Sequence, residues 1–163
     1  MQIHAPTALP ALAFLSAALL SGCGGETADG TAGGAATPGA PAELSAVELE
    51  QGIGPIRDME LAAIDPTLAD QGEEAFITKC SACQKMDERY VGPPLRDVVE
   101  RRRPEFVMNM ILNATEMVER HPEIRAMLAE YFTPMTNQVT DPDEARAILE
   151  YLREAQAEAN QGG

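Results

Sequence analysis

Two cysteines three positions apart, in Cys80-Ser81-Ala82-Cys83-Gln84, are the residues of this chain best suited to chemistry. Thiols at that spacing can form a redox dithiol, bind a metal, or be attached covalently to a cofactor. A redox dithiol needs a helix N-terminus and a βαβ setting, and no run of alternating apolar and polar residues reads as a strand. A structural zinc site takes four ligands, whereas the chain beyond Cys23 offers the pair and one distant histidine, His121. Paired catalytic carboxylates, nucleophile motifs and phosphate-binding loops are not evident, which points away from an enzyme. Covalent attachment is the third chemistry, and the elements around the pair must support it.

Those elements read as helices. Asp65-Pro66 opens one, with Asp65 as N-cap and proline in the first turn. Leu68, Gly72, Ala75 and Phe76 share one stripe that leads into Cys80. Asp141-Pro142-Asp143-Glu144 opens another, with Glu144 placed to complete a capping box. Ala145, Ile148, Leu149 and Leu152 form its apolar face, and Glu150, Arg153 and Glu154 its water face. Two weaker helices are expected over Pro104–Leu112 and Pro122–Phe132. Gly92-Pro93-Pro94 and Thr133-Pro134-Met135-Thr136 are loops that cannot be helical. The expectation is an all-α domain with long loops. Met108, Met110, Met117 and Met127 are expected to fill its core. His121, in Glu-Arg-His-Pro, is expected to be a solvated helix cap.

The first 23 residues contain no Asp, Glu, Lys or Arg, and Leu9–Leu20 is apolar but too short to span a bilayer. The segment ends in Leu20-Ser21-Gly22-Cys23, which resembles a bacterial lipobox, so residues 1–23 read as a lipoprotein signal with Cys23 lipidated. Lipidation also accounts for the odd cysteine among three. Residues 24–44 have the Gly, Ala, Thr and Pro composition of a tether, 45–64 form an N-terminal extension, 65–156 the domain proper, and 157–163 a disordered tail. The chain is therefore expected in the cell envelope, facing the periplasm and anchored to a membrane. The net charge of −14 disfavours nucleic acid and favours a protein partner with a basic docking patch.

Together these pieces resemble the class I cytochrome c family over about Leu61–Ala155. The Cys pair is one residue short of C-x-x-C-H, the attachment signature of haem c, with Gln84 where the histidine stands. A Gly-Pro loop, a Met-bearing loop and a final amphipathic helix follow in the family's order. The resemblance implies a small class I cytochrome c-like helical fold and one haem c, held by thioethers from Cys80 and Cys83. It also implies Met135 as distal iron ligand, Gly92 and Pro93 as the loop behind the proximal ligand, and packing of Gly72 and Phe76 against Leu149 and Leu152. The function it implies is one-electron transfer between respiratory-chain partners. At the proximal position Gln84 can still donate an amide N–H to Pro93, but its amide nitrogen has no lone pair for iron. A haem-free or open-site domain that binds a ligand or a protein is the alternative.

Overall fold

The computed structural model describes residues 43–162. The signal peptide with Cys23, and the tether as far as residue 42, lie outside the described residues.

Seven helices make up this part of the chain: α1 (Ala46–Gln51), α2 (Pro66–Lys79), α3 (Val98–Arg101), α4 (Pro104–Leu112), α5 (Ala114–Arg120), α6 (Pro122–Tyr131) and α7 (Pro142–Gln161). No strand occurs among the described residues, so the fold is all-α. The two helices with the strongest start signals begin where those signals stand. Asp65 accepts from the Thr67 and Leu68 N–H groups at 2.9 and 3.3 Å, and Asp141 accepts from Asp143 N–H at 2.9 Å. Each is followed by proline, whose missing N–H costs nothing in a first turn.

The core is organised by the crossing of α2 and α7. Gly72 sits at the crossing, where a Cβ would fall on the Ala147 carbonyl, so only glycine lets the two backbones approach this closely. Phe76, Ile148, Leu149 and Leu152 fill the angle beside it together with Val107, Met108 and Ile111 of α4. The Phe76 ring meets that of Tyr151 at 5.4 Å between centroids. A second apolar cluster, Ile53, Phe106, Met117 and Ile124, joins α4, α5 and α6 to the segment after α1.

Several expectations are corrected. Glu144 makes no capping box; it pairs with Lys79 across the α2–α7 crossing. Glu150 does not face water. It is fully buried, accepts from Asp65 N–H at 2.8 Å, and is paired with Arg146 and Arg153. Glu105 is likewise buried, accepting from Met59 N–H at 2.8 Å. His121 is no solvated cap: it is buried edge-on against Phe106, and its Nε2–H donates to the Leu49 carbonyl at 3.1 Å. The tail expected over 157–163 is helical as far as Gln161, because α7 continues without a breaker until Gly162.

Residues 45–64, the N-terminal extension, pack on the domain through side chains from distant elements. Ser45 and Glu48 form a capping box that starts α1. Beyond it the backbone is pinned by side chains from distant elements. Asn109 donates to the Gln51 and Ile56 carbonyls and accepts from Ile56 N–H at 2.9 Å. Ile53 N–H reaches the Met117 sulfur at 3.0 Å. Arg153 donates to the Ala62 carbonyl at 2.8 Å.

Candidate functional site

The α2 helix ends at Cys80, whose N–H still donates to the Phe76 carbonyl at 2.8 Å. The chain then makes one further turn: Cys83 N–H and Gln84 N–H both reach the Cys80 carbonyl, at 3.0 and 2.9 Å. Both thiols are free; Cys80 is half-buried and Cys83 exposed. Burial, reinforced by the nearby Glu144 carboxylate, pushes the Cys80 thiol above its usual range. A redox dithiol needs a lowered value, so the local field disfavours that chemistry.

Cys80 forms part of the wall of a cleft enclosing about 1130 Å³ of atom-free space, its open mouth included. Three stretches remote in sequence build the walls: Cys80, Gln84, Val91, Gly92, Pro93 and Leu95 from the end of α2 onward; Met110 and Ile111 of α4 with Ile124, Met127 and Tyr131 of α6; and Thr133, Pro134 and Met135. Phe76, Ile148 and Leu152 from the α2–α7 crossing line it as well. The lining is overwhelmingly apolar, with Arg101 and Arg102 as its cationic members. Arg102 lies over the Phe106 ring at 4.8 Å and pairs with Glu123, while Arg101 pairs with Asp97.

Of the residues singled out from sequence, Cys80, Gln84, Gly92, Pro93 and Met135 come together in this one cleft. Cys83 sits on the same turn as Cys80 but is not part of the wall. Cys23 lies outside the described residues. Gly92 is buried and donates its N–H to the Cys83 carbonyl at 3.0 Å, which ties the Gly-Pro loop to the Cys turn. A Cβ on Gly92 would meet the Gln84 Oε1 at 2.5 Å and Nε2 at 2.6 Å, so the carboxamide occupies the space that a side chain would need. The donation from Gln84 to Pro93 is not made. The carboxamide packs on Gly92 instead, and its Oε1 is buried without a hydrogen-bond donor.

Met108 and Met117 are core residues, but Met110 and Met127 are half-buried in the cleft wall. Their helical spacing was visible in the sequence. It marks an apolar face without saying whether a neighbouring helix or a cavity covers it.

No family model matches the chain, and no curated protein matches it. Solved structures do. A cytochrome c from Rhodothermus marinus is 46% identical, covering 68% of this chain and 97% of its own, with a TM-score of 0.65. An engineered cytochrome c from the same organism, Rma TDE, is 45% identical over 68% of this chain and 96% of its own, at a TM-score of 0.64. The same engineered protein bound to a carbene intermediate, 1-ethoxy-1-oxopropan-2-ylidene, is 43% identical at a TM-score of 0.61. The chain belongs to the cytochrome c family, and its fold is of the class I type.

Proposed function

We propose that this protein is an extracytoplasmic one-electron carrier with one covalently attached haem c, anchored through a lipid at Cys23. The observation that carries the reading is the convergence of Cys80, Gln84, Pro93 and Met135, from two stretches more than forty residues apart, on one apolar cleft. The residues fit the group. Two free thiols on a single turn suit two thioether links, a thioether side chain stands in the wall, and the apolar lining suits a flat macrocycle.

In this reading haem supplies the one-electron chemistry when bound, and the chain supplies attachment, ligation and surroundings. Cys80 and Cys83 hold the group in place. Met135 offers its sulfur to iron, a soft donor that favours the reduced state. The side chains of Met110, Ile111, Ile124 and Leu152 exclude water, which keeps the local dielectric low and tunes the potential. A carrier of this kind needs no catalytic residue. The net charge of −14 would steer the domain toward a partner with a basic patch among respiratory-chain proteins.

Expression of the full chain with haem-attachment machinery tests the proposal. The expected product is the mature lipidated chain with the added mass of one haem, and it has a Soret band. A bare-chain mass without that band would leave the haem-free binding module as the function. Replacing Met135 with Ala is expected to remove the thioether-to-iron charge-transfer band of the oxidised form, and its survival would refute Met135 as ligand.

A further inference from the structure

We infer that Arg101 and Arg102 form an acid-binding edge of the cleft and hold the propionate carboxylates of the haem. The inference rests on the haem-carrying reading above and adds two residues that neither the thiol pair nor the Met-bearing loop indicates.

The charge of the lining carries it. The chain has 26 acidic and 12 basic residues, yet the only charged side chains in the cleft wall are these two arginines. They stand on α3, where Val98, Arg101 and Arg102 lie at i, i+3 and i+4 and so share the face that bears on the cleft. The guanidinium groups themselves are placed there. That of Arg102 lies 4.8 Å from the centroid of the Phe106 ring, which is buried and lines the cleft. The Arg101 Nη2 donates to the Pro94 carbonyl at 3.2 Å, between the lining residues Pro93 and Leu95.

Both groups keep donors in reserve. A guanidinium has five N–H bonds arranged as a fork that matches a carboxylate. Arg101 spends Nε and Nη2 on Asp97 and the Pro94 carbonyl, and its Nη1 is left over. Arg102 pairs with Glu123 through Nη1, and its Nε and Nη2 are left over. The two partner carboxylates are 53% and 56% exposed, and ion pairs so open to water hold weakly. They leave both arginines open to a better-shielded acceptor. A wholly apolar ligand would gain nothing from two cations in the wall and would have to desolvate them. A flat macrocycle with an apolar body and two carboxylates matches the lining on both counts, its body against the methionines and aliphatic side chains, its acids against the forks.

The test uses the haem-loaded full chain, verified by mass, and a water-soluble carbodiimide with glycine ethyl ester, which turns reactive carboxyl groups into amides. Trypsin then releases Cys80–Lys85, a segment without Asp or Glu, so every label that this haem peptide gained before digestion reports a propionate. A carboxylate beside a guanidinium is protonated about tenfold less at a given pH, or scarcer still, and the protonated form is the one that reacts. Labelling of the wild-type propionates is therefore expected to be slower than that of the excised haem peptide by about tenfold or more. Arg101→Gln combined with Arg102→Gln is expected to restore most of that rate at equal haem content. The corresponding pair of lysine substitutions should keep labelling slow, since the charge remains. Wild-type propionates that label as fast as those of the excised peptide would overturn the inference. Protection that survives the double glutamine variant would do the same, because burial alone would then account for it. If the double variant takes up no haem, each single glutamine variant carries the same comparison. A bare-chain mass in the wild type would overturn both this inference and the reading beneath it, whereas a haem-loaded protein with fast-labelling propionates overturns the inference alone.

Discussion

Two regions of this molecule differ in how their polar groups are partnered. Along residues 49–65 much of the backbone that lacks helical partners is met by side chains from distant elements. Asn109, Glu105, Glu150 and the Met117 sulfur each take an N–H from this stretch, and Asn109, Asn113, His121 and Arg153 donate to its carbonyls. Around the cleft the reverse holds. Gln84 lies half-buried with an unpartnered oxygen, and the sulfur of Met135 and the thiol of Cys80 meet an apolar space. The first region spends its polar groups on pinning backbone to α4, α5 and α7, with Gln51 Oε1 and His121 Nδ1 as its unpartnered atoms. The second leaves donor atoms unspent, as a wall awaiting a cofactor does.

The contrast can be broken most sharply at Glu150. Its carboxylate is buried against Arg146, Arg153 and Asp65 N–H, so Glu150→Ala strands two cations and a backbone donor. Chemical denaturation of protein matched for haem content should show a loss of about 4 kcal/mol, in the range for breaking a buried ion pair. A loss of a few tenths would mean that the region is not held by this network. Next in size, Asn109→Ala leaves the Ile56 N–H and the Gln51 carbonyl without partners and should cost about 2 kcal/mol in the same assay.

Acid should dissolve the same region first. Burial works against the charged forms of Glu150 and Glu105, but hydrogen bonds outweigh it: Arg146, Asp65 N–H and Arg153 for Glu150, and backbone N–H groups and Arg103 for Glu105. Both carboxyls are held below their ordinary value. A depressed native value contributes stability that is present at neutral pH and is lost as pH falls below about 4.3 and through the native values. Unfolding free energy measured from pH 7 downward should therefore stay level and then decline. Glu150→Ala should flatten that decline, and an equally steep limb in the variant would assign it to other groups.

The smallest effect belongs to the cleft. Because the Gln84 Oε1 is buried without a donor, Gln84→Leu in the haem-free chain should not destabilise it and should gain up to about 1 kcal/mol. A loss as large as that of Asn109→Ala would show that Gln84 serves the fold, and the two regions would no longer differ.

Much of this was legible from local signals. The starts of α2 and α7 stand where their caps and prolines suggested; the Gly72 crossing with Phe76, Leu149 and Leu152, and the meeting of Cys80, Gly92, Pro93 and Met135 in one cleft, had been implied by the family resemblance. The short helices α1, α3 and α5 were not legible, since four to seven residues carry too few apolar positions to display a period. The capping box at Glu144 failed because Lys79, sixty-five residues away, offered the carboxylate a charged partner.

What the sequence determined by itself is set by near neighbours. Caps, proline positions, the spacing of the two thiols and the glutamine after them need no knowledge of distant chain. Tertiary structure alone decided which charges go inside. Glu150 reads as a water-facing residue of an amphipathic helix, and it is buried only because a backbone N–H eighty-five residues earlier in the chain arrives to share it with two arginines. The same holds for Gln84. Its identity is written in the chain, but that its oxygen is buried without a donor follows from how Gly92 and the cleft close around it.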